Sequence, residues 1–261
     1  MVSMKLGICY MVFDGDELLE FAIKSIRNVV DFVSVTYQKV SYFGNPADPN
    51  LLPLMENLKK QGLIDEILHY DTKLNIHHKQ NELNLRNLGL EASKKAGCTH
   101  HISADVDEFY KPDELTFAKN YMAENDHDFS AAYLYTYYKE PTYLVHPIQK
   151  LLVSFIHPVH NEYRMDVPYP TFPLHMETTR RFGKCKNYHI FDQKDFVIHH
   201  MSYIRKDIRR KFQNSDNAQF YKIEKFINNF NTYKLGGRVC LLPDFMNRKT
   251  IEVDNYFNIK I

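Results

Sequence analysis

The chain has 261 residues, 44% hydrophobic and 25% charged, with a net charge of +1. This is ordinary globular composition, so a packed core is expected, and the length fits one large α/β domain or one domain with a tail. The near-neutral charge excludes a wholesale polyanion binder, so any basic surface is local.

Residues 5–13 form a continuous apolar run, the pattern of a central parallel strand covered on both faces. The run is too short for a membrane span and lacks a small-residue cleavage site, so no signal peptide is expected. Asp14-Gly15-Asp16 breaks it, and Asp16 is expected to cap a helix carrying Leu18, Leu19, Ala22, Ile23 and Ile26 at helical spacing. A second strand follows at 31–37 and a Pro-, Gly- and Asn-bearing surface loop at 41–53. The pattern then predicts a helix at 51–61 closed by Gly62, and a third strand at 64–70. A helix at 80–96, with Leu83, Leu85, Leu88 and Ala92 inward, is stopped by Gly97. The fourth strand, 99–104, runs into Asp105-Val106-Asp107-Glu108-Phe109.

Pro112-Asp113-Glu114 opens a further helix, since Pro and acids suit a first turn. Residues 129–138 read as an aromatic strand. Residues 140–195 break the rhythm and predict loops with short antiparallel strands. A strand at 196–200 leads into a basic helix at 206–212, followed by a helix at 218–229 and an edge strand at 251–257. Strand and helix alternate through the first hundred residues, which predicts an α/β fold with a doubly wound sheet and right-handed crossovers. Cys9, Cys98, Cys185 and Cys240 form no Cys-x-x-Cys pair, which speaks against a zinc knuckle or redox dithiol. They read as reduced thiols in a cytoplasmic protein.

Asp105 and Asp107 end a strand two residues apart, so in an extended backbone both carboxylates face one spot. They repel unless a cation or proton lies between them, and a hard divalent ion, Mg2+ or Mn2+, suits the oxygen pair. An isolated Asp-x-Asp is more often a solvated turn. Here a strand precedes it and a helix signal follows, and ligands of open α/β sheets gather at the carboxyl ends of strands.

From residue 5 to residue 212 the order of parts resembles the nucleotide-sugar-dependent glycosyltransferases of the GT-A fold, whose members share a Rossmann-like domain. The Asp105–Phe109 segment resembles their Asp-x-Asp signature. Arg86-Asn87-Leu88-Gly89 resembles the Arg-Asn helix that precedes it, and His199-His200-Met201-Ser202-Tyr203-Ile204-Arg205 resembles a segment supplying a further metal ligand. The resemblance implies a mostly parallel sheet with helices on both faces and a small irregular acceptor region. It places the catalytic domain at 1–215, with a donor half at 1–110 and an acceptor half at 111–215, and a C-terminal extension at 216–261.

It also implies a nucleotide diphosphate sugar donor, most often UDP-linked, and Mn2+ or Mg2+ bridging the two phosphates. Asp107 would bind the ion directly. Asp105 would bind it through water or hold ribose and sugar hydroxyls, and His200 or His199 would approach from the other side. Tyr10, Val12 and Asp14 are the nucleotide contacts, mainly through backbone, with base stacking on Tyr10. Arg86 would meet the diphosphate or the base, or pair with an acid. In the cationic stripe of Lys206, Arg209, Arg210 and Lys211, Arg209 and Lys211 would close over the diphosphate, unless the stripe is a solvated helix face.

An inverting reaction needs a base for the acceptor hydroxyl, and Glu177, Asp166 and Asp192 are the candidates. The implied acceptor is a glycan or glycolipid. Tyr133, Tyr135, Tyr137, Tyr138 and Tyr143, with Arg180, Arg181, Lys184 and Lys186, also make a footprint for nucleic acid. A hydroxymethylated base of phage DNA is therefore a second acceptor reading. A metal-dependent phosphatase or nuclease is a third, although phosphatases with an Asp nucleophile carry it after their first strand, not their fourth.

Overall fold

The computed structural model describes residues 4–148, 151–166, 177–183, 187–215, 223–239 and 248–261. The alternation read from the apolar pattern is present: β1 (Leu6–Val12), α1 (Asp16–Ile26), β2 (Phe32–Tyr37), α2 (Leu51–Lys60), β3 (Glu66–His69), α3 (His78–Lys95) and β4 (His100–Asp105). β1 pairs in parallel with β2 on one side and β4 on the other, giving the order β3-β2-β1-β4. Six of the seven β1 residues are buried, as a strand covered on both faces requires. α3 lies directly on this strand because Gly89 has no side chain. A Cβ there would stand 2.3 Å from Cys9 Sγ.

Two local expectations are corrected. Asp16 is the first helical residue and not the cap; Gly15 precedes it with φ 77°. On α3, Leu90 is buried and Leu88 only half-buried, while Glu82 and Arg86 are also buried. An apolar-period reading assigns those two charged residues to solvent.

After β4 come β5 (Glu108–Phe109), α4 (Pro112–Glu124) and β6 (Phe129–Tyr138), then β7 (Tyr143–His146), β8 (Leu152–Ser154), β9 (His157–Pro158) and β10 (Tyr188–Ile190). β7 and β8 pair antiparallel to β6, and β9 antiparallel to β4, as short excursions do; β10 instead runs parallel to β6. β11 (Val197–Tyr203) lies parallel to β6 and antiparallel to β5, in register His199 with Phe109 and His200 with Glu108. This pairing carries residue 200 to the end of β4.

α5 (Ile208–Gln213) and α6 (Ile223–Asn231) share a second apolar cluster with Tyr138, Tyr203, Phe212, Phe226 and Phe230. Residues 218–222 of the helix expected at 218–229 lie outside the described residues. The edge strand falls earlier than expected, as β12 (Lys249–Glu252) against β7. Cys9 and Cys98 are free and buried, whereas Cys185 and Cys240 lie outside the described residues.

Three histidines are built into the interior. His101 and His157 are fully buried and His199 nearly so. His101 Nδ1 faces Ser93 Oγ at 2.8 Å, His157 Nε2 faces the Tyr163 hydroxyl at 2.7 Å, and His199 Nδ1 faces the Tyr137 hydroxyl at 2.8 Å. Burial pushes all three below the usual histidine value, His157 and His199 to about 3. A group lowered in the folded state binds fewer protons folded than unfolded, so stability rises with pH. It is lost as pH falls below about 6.5, by up to about 1.4 kcal/mol per pH unit for each histidine. Calorimetry is expected to show Tm falling by more than about 5 °C between pH 7.5 and pH 5. A Tm constant over that range would contradict neutral, buried histidines.

Candidate functional site

Because β2 and β3 lie on one side of β1 and β4 on the other, the chain changes winding direction between β1 and β4. The carboxyl ends of two such strands diverge and leave a crevice. Here it is a cleft of ≈ 290 Å³, lined by Met11 to Asp14 at the end of β1, Gln38 after β2, Lys79 and Glu82 on α3, and Asp105 to Asp107 at the end of β4. Glu177, His200, Ser202, Arg205 and Lys211 close its far side.

Asp107 is 5% exposed. Its Oδ2 accepts from Arg205 Nη2 at 2.6 Å and from Lys211 Nζ at 3.1 Å. Its Oδ1 lies 3.5 Å from His200 Nε2 and accepts no hydrogen bond from any described residue. Burial alone would raise this carboxyl, but the charges of Lys211, Arg205 and His200 outweigh it and hold it well below the usual carboxylate range. Arg205 is fixed in turn, donating from Nη1 to the carbonyls of Met201 and Ile204, both at 3.1 Å. Gly15 covers it: a Cβ there would stand 2.9 Å from the guanidinium.

Asp105 also lines the cleft, but its partners differ. Its Oδ1 is 3.2 Å from Arg86 Nη2 and its Oδ2 2.8 Å from Arg180 Nη2. The two carboxylates therefore do not need an ion between them, because four side-chain cations already relieve their repulsion. This argues against a direct bond from Asp105 to an ion, and the water-mediated or sugar-hydroxyl contact expected of it falls in the cleft that Asp105 lines. Both of its oxygens are occupied by guanidinium groups.

Of the two readings of Arg86, the structure shows the pairing with acids and not the contact with a diphosphate or base. Its side chain is fully buried and pairs with Glu82 at 2.8 Å, Thr179 at 3.1 Å and Ser103 at 3.1 Å, so it presents no face to a diphosphate. Tyr10 is fully buried, with its hydroxyl 3.4 Å from the Ala22 carbonyl, and its ring is closed to a base. Val12 and Asp14 do line the cleft. Arg209 points away and pairs with Glu224, whereas Lys211 reaches the cleft. In the tyrosine patch, Tyr137 serves His199 and Tyr138 packs in the second apolar cluster, and none of the five tyrosines lines the cleft. Lys184 and Lys186 lie outside the described residues.

Of the three candidate bases, Glu177 alone lines the cleft. Asp166 pairs with Arg164 on the surface, and Asp192 sits in a separate dent with Tyr133. Glu177 precedes a 3-10 turn, Thr178–Arg180. Its carboxylate lies 3.0 Å from Arg180 Nε, 3.5 Å from Arg86 Nη2 and 3.9 Å from Lys79 Nζ. Burial pushes it up to about 8, with Glu82 and Asp105 adding to the rise against the pull of Arg86 and Arg180. Thirty per cent of the side chain faces the cleft, so the push is weaker with water there and grows as a ligand displaces that water.

The sequence reading missed Lys79 and Glu82, assigned Arg180 to a nucleic-acid footprint, and gave Arg205 no role of its own within the His199–Arg205 segment. The spacing of Lys79, Glu82 and Arg86 at i, i+3 and i+7 places them on one helix face, which was the available signal. Among the described residues no group of three or more His, Cys, Asp or Glu could hold a metal ion. The pair Asp107 Oδ1 and His200 Nε2 nonetheless offers an unpartnered oxygen and a nitrogen to the same space. That fits an ion of the Mg2+ or Mn2+ class, which commonly takes one or two protein ligands and completes its shell with substrate phosphates and water.

No family model matches the chain, and no curated protein matches it. Among solved structures it is similar to S. aureus TarS, with 11% identity and a TM-score of 0.48 over 88% of this chain and 44% of that one. It is also similar to S. aureus TarS 1-349 in complex with UDP-GlcNAc, at 13% identity and TM-score 0.45 over 88% of this chain and 73% of that one. A third is the mannosyltransferase PcManGT from Pyrobaculum calidifontis in complex with GDP-Man and Mn2+, at 12% identity and TM-score 0.33 over 52% and 36%. The chain spans less than half the length of the first of these.

Proposed function

We propose that this chain is a glycosyltransferase that moves a sugar from a nucleotide diphosphate sugar, UDP-linked, to a hydroxyl of a glycan or glycolipid. The supporting observation is the meeting, in one small cleft at the switch between β1 and β4, of fixed cations with a carboxyl suited to take a proton. Arg205 and Lys211 stand where a diphosphate would lie, held by Asp107, and Glu177 stands across the cleft. As the glycosidic bond breaks, charge grows on the departing diphosphate. Cations already in place stabilise it without reorganising at that moment. Val12 and Asp14 at the end of β1 are the nucleotide contacts.

Asp107 Oδ1 and His200 Nε2 would hold the divalent ion, Mn2+ or Mg2+, and the ion would supply further charge neutralisation at the diphosphate. Thermal denaturation with UDP, GDP and Mn2+ tests the donor. A Tm rise with UDP plus Mn2+, absent with Mn2+ alone, supports the reading, since a ligand that binds only the folded chain stabilises it by mass action. No rise with any nucleotide, together with turnover of a phosphate ester, would replace the transferase by a phosphatase.

Asp107→Asn separates the ion from the cations. In Mn2+ its UDP affinity, read by calorimetric titration, is expected to fall by more than the roughly 10- to 100-fold that loss of a contact supporting a metal ligand costs. In chelator its UDP affinity is expected to hold or rise, because Arg205 and Lys211 lose their counter-ion. Equal losses in both buffers would show that Asp107 serves the fold and not the ion.

A further inference from the structure

Glu82 is 6% exposed and uses both carboxylate oxygens. Its Oε1 accepts from Arg86 Nη2 at 2.8 Å and from the Thr179 hydroxyl at 2.6 Å, and its Oε2 accepts from Lys79 Nζ at 2.8 Å. Thr179 belongs to the short turn that follows Glu177, so a residue of α3 fastens that turn across 97 positions of sequence. Arg86 Nη2 and Lys79 Nζ each face both Glu82 and Glu177. Around Glu177 stand Lys79, Glu82 and Arg86 from α3, Asp105 from β4, and Arg180 from its own turn, with Glu108 behind Arg180. The acids Glu82, Asp105, Glu108 and Glu177 thus face the cations Lys79, Arg86 and Arg180, four charges against three. One negative charge is in excess, and Glu177 is the acid of this group whose proton can be exchanged with a ligand opposite it in the cleft.

We propose that Glu82 is a positioning residue for proton transfer at Glu177, fastening the turn that carries it and placing a second negative charge beside it. This rests on the reading of Glu177 as the base for an acceptor hydroxyl. In that reaction the acceptor oxygen bonds to the anomeric carbon while the bond to the diphosphate oxygen breaks. The electron pair leaves with the diphosphate, and the acceptor proton passes to Glu177. Thr179 and Arg86 keep the carboxyl aimed, and the charge of Glu82 makes it a stronger proton acceptor than an isolated glutamate.

The test is Glu82→Gln, which keeps an oxygen for Thr179 and removes the charge. The titration of Glu177 is followed by 13C NMR of the carboxyl carbons, with the signal identified by its loss in Glu177→Gln. The midpoint is expected near 8 in the natural chain and lower by about one pH unit or more in Glu82→Gln. The rising limb of kcat/KM against pH is expected to move with it. A midpoint unmoved by Glu82→Gln overturns the proposal. Thr179→Val tests the fastening alone: kcat is expected to fall roughly 10- to 100-fold with the pH midpoint unchanged. A natural kcat in that variant removes the positioning role. If the NMR midpoint moves but no nucleotide sugar is turned over, the coupling of Glu82 to Glu177 stands and the transferase reading falls.

Discussion

Glu177→Gln is expected to lower kcat by about 10²- to 10⁴-fold, the usual worth of a positioned base. Donor affinity should stay within about two-fold of the natural value, since the cations assigned to the diphosphate are Arg205 and Lys211, which do not touch Glu177. The pH profile gives the sharper reading. Only the ionised carboxylate accepts a proton, and burial beside Glu82 and Asp105 raises Glu177 to about 8. Activity of the natural chain should therefore climb with pH up to about 8, well above the range where ordinary carboxylates finish ionising. In Glu177→Gln that limb disappears. Steady-state rates from pH 5.5 to 9 decide it, and a variant with natural kcat and an unchanged limb would transfer the role elsewhere.

The largest effect on stability is expected from Arg180→Met. Arg180 is 1% exposed and forks onto Glu108 at 2.8 and 2.9 Å, with Asp105 at 2.8 Å and Glu177 at 3.0 Å. Without it, Glu108 keeps only the Tyr110 hydroxyl at 3.3 Å and the Asp105 N–H at 3.2 Å, among described partners. Breaking a buried pair by removing one member costs about 3–5 kcal/mol, because the other charge stays behind. At roughly 2–4 °C per kcal/mol for chains of this size, Tm should fall by about 6–20 °C. Adding Glu108→Gln should recover part of the loss, since it removes the stranded charge. A Tm within about 2 °C of the natural chain would show the cluster to be held by something other than Arg180.

The fold was legible because burial on both faces of a strand, or on one face of a helix, leaves a periodic trace in sequence. The first four strands and the helices between them follow from it. Asp107 could be named because it follows a strand end, His200 because it belongs to the segment that resembles a family motif and lies in β11, and Lys211 because it belongs to a cationic stripe on a helix. Arg86 was read as a diphosphate or base contact or an acid's partner, and Arg180 as part of a nucleic-acid footprint, because the distant partners of a charged residue leave no trace in its sequence neighbourhood. Those partners lie as far as 93 and 75 residues away. Tyr10 was misread for the opposite reason. At the end of an apolar run it resembled a platform, but the helix packed over β1 leaves it no open face. Arg209 and Lys211 were paired as neighbours in a stripe, yet residues two apart on a helix point in different directions. One meets Glu224 and the other Asp107.

The link between Asp107 and Arg205 spans 98 residues. On a ribosome adding about 5–20 residues per second, the first four strands emerge roughly 5–20 s before that arginine does. During this interval the aspartate has neither Arg205 nor Lys211 and stays hydrated, so the nascent parallel sheet can assemble while the corner beside it is still open. Completion of the cleft therefore waits on the segment that follows the eleventh strand. A chain truncated before residue 205 would lack both of the cations that hold Asp107.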